Sequence, residues 1–131
     1  MQKSKVSHLS FEVAHFKKSL DFYVPILKLL KFKVTIEENW AYFTAPDGFI
    51  FNISQAEKAA DRSKNVHMAF HARTSHKTVD EFYELAMTSG GKSNGKPGIR
   101  KNYSPDYYAA FVFDPDGNNI EVVSRHAPKT K

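Results

Sequence analysis

The chain has 131 residues, a formal net charge of +5, six His and no Cys. That length holds one domain with a working core, and hydrophobic content of 41% beside 25% charged residues is ordinary for a soluble globular protein. Without cysteine, disulfides and thiolate chemistry are excluded, so any metal site must draw on imidazole, carboxylate, amide or water.

Positive charge is scattered over Lys17, Lys18, Lys28, Lys31, Lys33, Lys58, Lys92 and Lys96, with no nucleic-acid motif beside it. No nucleic-acid partner is expected. No apolar run approaches the ~20 residues of a membrane span, so no membrane partner is expected either. Met1-Gln2-Lys3-Ser4-Lys5 leads straight into a strand-like run without an apolar signal core, which makes the cytoplasm the expected compartment.

In chain order, residues 6–13 alternate as a strand, with His8, Ser10 and Glu12 on one face and Leu9, Phe11 and Val13 on the other. Phe16, Leu20, Tyr23, Leu27 and Leu30 then fall at helical spacing, although Pro25 should kink or interrupt that helix. Short strands are predicted near 33–37, 40–44 and 49–54, and the polar stretch 55–65 reads as a connector. After it the order begins again. Residues 66–72 alternate with His67, Ala69 and His71 on one face. Ser75 or Thr78 could cap a helix carrying Val79, Phe82, Leu85 and Ala86 and ending at Gly90-Gly91. A Gly-rich stretch from Gly90 to Gly98 leads past Arg100 and Tyr103 into a strand over 107–113. Asp114-Pro115-Asp116-Gly117 then turns the chain into a closing strand that carries Glu121.

The halves match in detail. His8-Leu9-Ser10-Phe11 answers His67-Met68-Ala69-Phe70, and Asp21-Phe22-Tyr23 answers Glu81-Phe82-Tyr83. Ala45-Pro46-Asp47-Gly48 answers the second Pro-Asp-Gly turn, which aligns Asn52 with Glu121. The extra length of the second half belongs in the Gly-rich loop. Each half therefore reads strand–helix–strand–strand–strand, with module one at about 5–56 and module two at about 65–125.

Glu121 lies in a run that should be buried, where an ionised carboxylate must be paired or hold a metal. If the halves meet about an approximate two-fold axis, His8 and His67 can converge with Glu121 as two imidazoles and one carboxylate. Such a facial set keeps coordination positions open for substrate. His71 points to the same side as His67 and could serve as a base. Arg100, Tyr103, Tyr107 and Tyr108 border the inserted loop and could clamp an anionic or aromatic substrate. Because neighbours on a strand face opposite ways, only one of the two adjacent tyrosines can take a pocket role, and Tyr108 is the choice here. His15, His76 and His126 read as surface residues, and the tail 125–131 as frayed.

These motifs resemble the vicinal oxygen chelate superfamily, which includes glyoxalase I, bleomycin-resistance proteins, extradiol dioxygenases and fosfomycin-resistance thiol transferases. The residues that carry it are Val6-Ser7-His8-Leu9 with Phe22-Tyr23, His67-Met68-Ala69-Phe70, and Asp114-Pro115-Asp116-Gly117-Asn118-Asn119-Ile120-Glu121. The resemblance implies an α+β fold of two βαβββ modules forming a cupped mixed sheet, with helices on its outer face, usually in a homodimer. It implies a divalent ion (Fe, Mn, Zn, Ni or Co) on His8, His67 and Glu121. That ion would chelate a small-molecule substrate through adjacent oxygens and stabilise an oxyanion, in a lyase- or dioxygenase-like reaction. Glu121 and His71 are then the candidate catalytic residues, and Asn52, Arg100, Tyr103 and Tyr108 the candidate substrate contacts. Asn52 stands where glyoxalase I carries a carboxylate, and an amide cannot shuttle a proton. The alternatives are a non-catalytic drug- or metabolite-binding protein and a fosfomycin-type thiol transferase.

Overall fold

The computed structural model describes residues 5–73 and 75–125; His126 and the rest of the tail lie outside them. Module one runs β1 (His8–Val13), α1 (Phe16–Leu29), β2 (Lys33–Ile36), β3 (Trp40–Thr44) and β4 (Ile50–Gln55). Module two repeats it as β5 (His67–Arg73), α2 (His76–Thr88), β6 (Lys92–Ile99), β7 (Tyr108–Phe113) and β8 (Asn119–Ser124). Hydrogen bonding gives two four-stranded sheets in the same order, β1-β4-β3-β2 and β5-β8-β7-β6. In each, the first strand is parallel to the last, while the other pairings are antiparallel. The α+β fold of two βαβββ modules is thus as expected.

Each helix covers the apolar face of its own sheet and packs against the other helix. Phe22, Tyr23, Ile26 and Leu27 on α1, and Val79, Phe82, Tyr83 and Ala86 on α2, are buried with Phe11, Phe43, Phe51, Phe70 and Ile120 in one core. The modules touch directly where the Phe70 ring stands edge-on to Phe51 at 6.0 Å and to Phe32 at 5.8 Å. They therefore meet through their apolar sides. The opposite faces, bearing His8, Ser10 and Glu12 on one sheet and His67, Ala69 and His71 on the other, are exposed.

Two local expectations change. Helix α1 continues through Pro25, because the buried pairs Phe22-Tyr23 and Ile26-Leu27 on either side outweigh the one backbone hydrogen bond that proline removes. The Gly-rich stretch is largely strand: β6 occupies Lys92–Ile99 and pairs with β7 across two register shifts, around Gly95 and before Gly98. Bulges of this kind absorb extra residues without ending the pairing. Ser75 is the N-cap of α2, its Oγ accepting the Thr78 amide at 3.0 Å.

The second Pro-Asp-Gly turn does more than reverse the chain. Asp114 is buried, and its Oδ1 accepts the amides of Asp116 and Asn118 at 2.9 Å each. Its Oδ2 accepts the hydroxyl of the fully buried Tyr23 at 2.5 Å, reaching into helix α1 of the other module. Asp116 Oδ2 accepts the Ala14 amide at 3.1 Å, and Asn118 Oδ1 accepts that of Val66 at 3.0 Å. The turn is a clasp between modules. Burial pushes the Asp114 carboxyl up from its ordinary value despite these donors, and burial beside Asp114 pushes the Tyr23 phenol well up too.

Candidate functional site

Glu121 is 2% exposed, on the middle of β8, with Ala69 beside it on β5 and Phe111 opposite on β7. Its Oε1 lies 2.8 Å from His67 Nε2, and its Oε2 accepts the hydroxyl of Tyr107. Both oxygens are thus engaged on the face of the second sheet that the helices leave open. Burial, then the bond to Glu121, raises the Tyr107 phenol to about 12, so it remains a proton donor across the working pH range.

The segment after β6 folds over this face. The Arg100 guanidinium sits 5.4 Å from the centre of the Phe111 ring and donates to the Lys96 carbonyl at 2.5 Å. Tyr103 packs on Tyr107 at 4.9 Å, and Arg125 covers the Tyr107 ring from 5.2 Å. The Phe111 ring in turn lies 6.1 Å from His67. Between them opens a recess of about 700 Å³ bordered by Asn94, Lys96, Arg100, Asn102, Tyr103 and Asn119. Its charge is positive and its floor aromatic, which suits an anion with a flat or apolar part. Gly95 is needed there: a Cβ would stand 3.2 Å from both Arg100 Nη2 and Phe111, and its φ of +153 lies in a region that side chains avoid.

His8 does not complete the set within one chain. It is exposed on the first sheet, with Nδ1 3.0 Å from Ser7 Oγ. Among the described residues no group of three or more His, Cys, Asp or Glu is placed to hold a metal. The expected convergence fails within one chain because the modules join through their apolar sides, which turns the two polar faces away from the shared core. Asn52, paired with Ser10 and Tyr42 across its strands, is on the first sheet as well. Its Oδ1 is buried without a hydrogen-bond partner, a rare condition for a side-chain amide.

Tyr107, not Tyr108, reaches Glu121. Tyr108 points to the helix side, where its hydroxyl donates to Asp80 Oδ1 at 2.6 Å and its ring stacks on His76 at 3.9 Å. Burial and that bond raise its phenol to about 12. The register of β7 against β8 decides this, since Phe111 faces Glu121 and odd-numbered positions share its side. His76, expected at the surface, is half-buried in that stack, whereas His15 is exposed at the start of α1. His71 borders a different cavity, beside the ends of β1 and α1. Burial first, then Arg73 and Arg125, hold its imidazole below the ordinary range.

The fold is thus two βαβββ modules with a His–carboxylate pair on an open sheet face. The chain belongs to the Glyoxalase/Bleomycin resistance protein/Dioxygenase superfamily, whose family model matches residues 5–122. It is similar to a glyoxalase/bleomycin resistance protein from Albidiferax ferrireducens T118, at 25% identity and a TM-score of 0.79, over 94% of this chain and all of that one. A glyoxalase/bleomycin resistance protein/dioxygenase family enzyme from Burkholderia phytofirmans PsJN shares the fold at 12% identity and a TM-score of 0.71, over 94% and 100% of the two chains. A lactoylglutathione lyase from Agrobacterium tumefaciens does so at 14% and 0.65, over 95% and 96%. Comparison with curated proteins gives no match. No helix among the described residues is long and apolar enough to cross a membrane.

Proposed function

We propose that this protein is a cytoplasmic metal-dependent enzyme of the glyoxalase and dioxygenase type, acting on a small anionic molecule. Its site forms across a homodimer. The observation that supports the reading is the 2.8 Å approach of His67 Nε2 to the buried Glu121 Oε1, a spacing that suits neighbouring ligands on one small divalent ion. The donor set of imidazole and carboxylate fits Fe, Mn, Zn, Ni or Co, and His8 from a second copy would complete it. A bound ion would supply Lewis acidity toward adjacent substrate oxygens and steady a developing oxyanion.

The chain's own residues do the rest. Tyr107 holds Glu121 from behind and fixes its orientation. Arg100, anchored on Phe111 and Lys96, draws in the anionic end of the substrate, with Tyr103 at the mouth of the recess. Asn52, beside Ser10 on the His8 face of the first sheet, would approach the substrate only from the second copy that also brings His8. The amide at that position cannot relay a proton, so an isomerisation that needs carboxylates on both sides of the ion is disfavoured.

Metal analysis of protein purified without chelator tests the reading. About one divalent ion per chain is expected, lost in His8→Ala, His67→Ala and Glu121→Ala. Mixing the His8→Ala and His67→Ala proteins should restore binding that neither has alone, because one intact site re-forms in each mixed dimer. Full occupancy in all three variants would remove the mechanism, and failure of the mixture would remove the shared site. Methylglyoxal–thiol adducts, catechols and fosfomycin are the substrates to try first.

A second reading is a non-catalytic binding protein for a drug or metabolite. It is favoured by Glu121, whose two oxygens already have partners in His67 and Tyr107. Ligand binding that survives metal stripping undiminished would select it.

A further inference from the structure

We infer that the cavity between the modules, which shares no lining residue with the recess beside Arg100 and Phe111, is a binding site for an amphipathic carboxylate with an aliphatic tail. The cavity measures about 600 Å³ and lies between the end of α1, the first Pro-Asp-Gly turn, and strands β1 and β5. That volume is in the range of roughly 300–1,000 Å³ typical of small-molecule sites. Its walls are mostly apolar, built from Leu9, Leu30, Phe32, Phe49 and Met68. Leu9, 38% exposed, is among the lining residues.

The rim carries two cations, Lys31 and Arg73. No carboxylate among the described residues pairs with either. Asp47 also borders the cavity, but its Oδ1 is engaged by the Phe49 amide at 3.1 Å, and the rim stays net positive.

Backbone strain marks the same two residues. Among the described residues, the non-glycine positions with left-handed φ are Lys31 (φ 71), Asn65 (φ 60) and Arg73 (φ 54). Asn tolerates this region; Lys and Arg do not gain from it. Lys31 sits just past the end of α1, where Phe32 donates to Leu27 and Lys31 to Lys28 in the usual helix-ending pattern. The equivalent place after α2 is filled by Gly90 at φ 102, with Gly91 donating to Ala86. Lys28 already complements the dipole of α1, so the helix end does not itself require a second lysine. Arg73 ends β5 beyond a register shift after His71. Two cations without a carboxylate partner at one apolar cavity point to what the cavity holds: an acid whose head meets Arg73 and Lys31 and whose tail fills the space beneath.

The test is calorimetric titration of the purified protein with decanoate below its micellar range, with decanol as the uncharged counterpart. Saturable binding of about one decanoate per chain is expected, with decanol at least about tenfold weaker. Arg73→Gln should weaken decanoate about tenfold, Arg73→Lys much less, and Leu9→Trp should abolish binding by filling the cavity. Thermal melts of each variant establish that it is folded. Glu121→Gln should leave the affinity unchanged, which separates this site from the proposed metal centre. Absence of saturable binding overturns the proposal. So does equal affinity for decanol, indifference to Leu9→Trp in a folded protein, or loss of binding in Glu121→Gln. Decanoate that only shifts the association state of the protein, without a site of its own, assigns the cavity to subunit contact and overturns it as well.

Discussion

The two Pro-Asp-Gly turns occupy equivalent places in the two modules and do opposite jobs. Ala45-Pro46-Asp47-Gly48-Phe49 closes its hairpin and leaves its side chains at the rim of a cavity. Asp114-Pro115-Asp116-Gly117-Asn118 closes the same hairpin while gripping helix α1, β1's exit and the start of β5. The difference lies in two positions, Ala45 against Asp114 and Phe49 against Asn118. Three residues further on, Asn52 stands against Glu121, the one with an orphaned oxygen and the other with both oxygens engaged. Module two has concentrated the buried polar groups, and module one supplies the surfaces they act upon.

The comparison breaks most visibly at the clasp. Asp114→Ala strands the Tyr23 hydroxyl in the core and removes the acceptor of the Asp116 and Asn118 amides, and about 2–4 kcal/mol of unfolding free energy should be lost in urea titrations. Asp47→Ala in the other turn should cost about 0.5 kcal/mol, since it removes one partly exposed bond. Equal losses would contradict the asymmetry.

Protonation sharpens the same contrast. Burial raises the Asp114 carboxyl, so the folded chain holds that proton more tightly than the unfolded chain does. The stabilisation it gives is complete in acid, below the ordinary carboxylate value, and fades as pH rises through the folded-state value. The stability difference between wild type and Asp114→Asn should therefore shrink steadily from acid toward neutral pH. A difference that grows would mean the carboxyl is held down, not up.

Smaller effects follow in module one. Asn52→Leu replaces a half-buried amide whose oxygen has no partner by an apolar side chain of similar size, and stability should rise by about 1 kcal/mol while substrate binding falls. Lys31→Gly relieves the left-handed lysine and should add about 0.5–1 kcal/mol, read from the thermal midpoint. A loss of stability in either variant would reveal a structural role that the isolated chain does not display.

Much of this was legible in the residues. The repeat of His8-Leu9-Ser10-Phe11 in His67-Met68-Ala69-Phe70 announces two like modules, and alternation along the strand puts His67 and His71 on one face. Strand β6 was hidden because glycine and proline suppress the usual strand signal, and its register shifts erase the period of two. The choice between Tyr107 and Tyr108 turned on a register that only the pairing of β7 with β8 defines. Where His8 stands relative to His67 could not be read at all. Alternation tells which side of a sheet a residue occupies, but not which sheet confronts which, and that is decided by how Phe51, Phe32 and Phe70 nest.

The bond from Tyr23 to Asp114 spans 91 positions of sequence. During synthesis, helix α1 emerges long before its anchor is made, so module one waits incomplete with a polar hydroxyl unmet in its interior. A chain cut short before the closing hairpin lacks that acceptor, and such a truncation should be more readily degraded than the full chain.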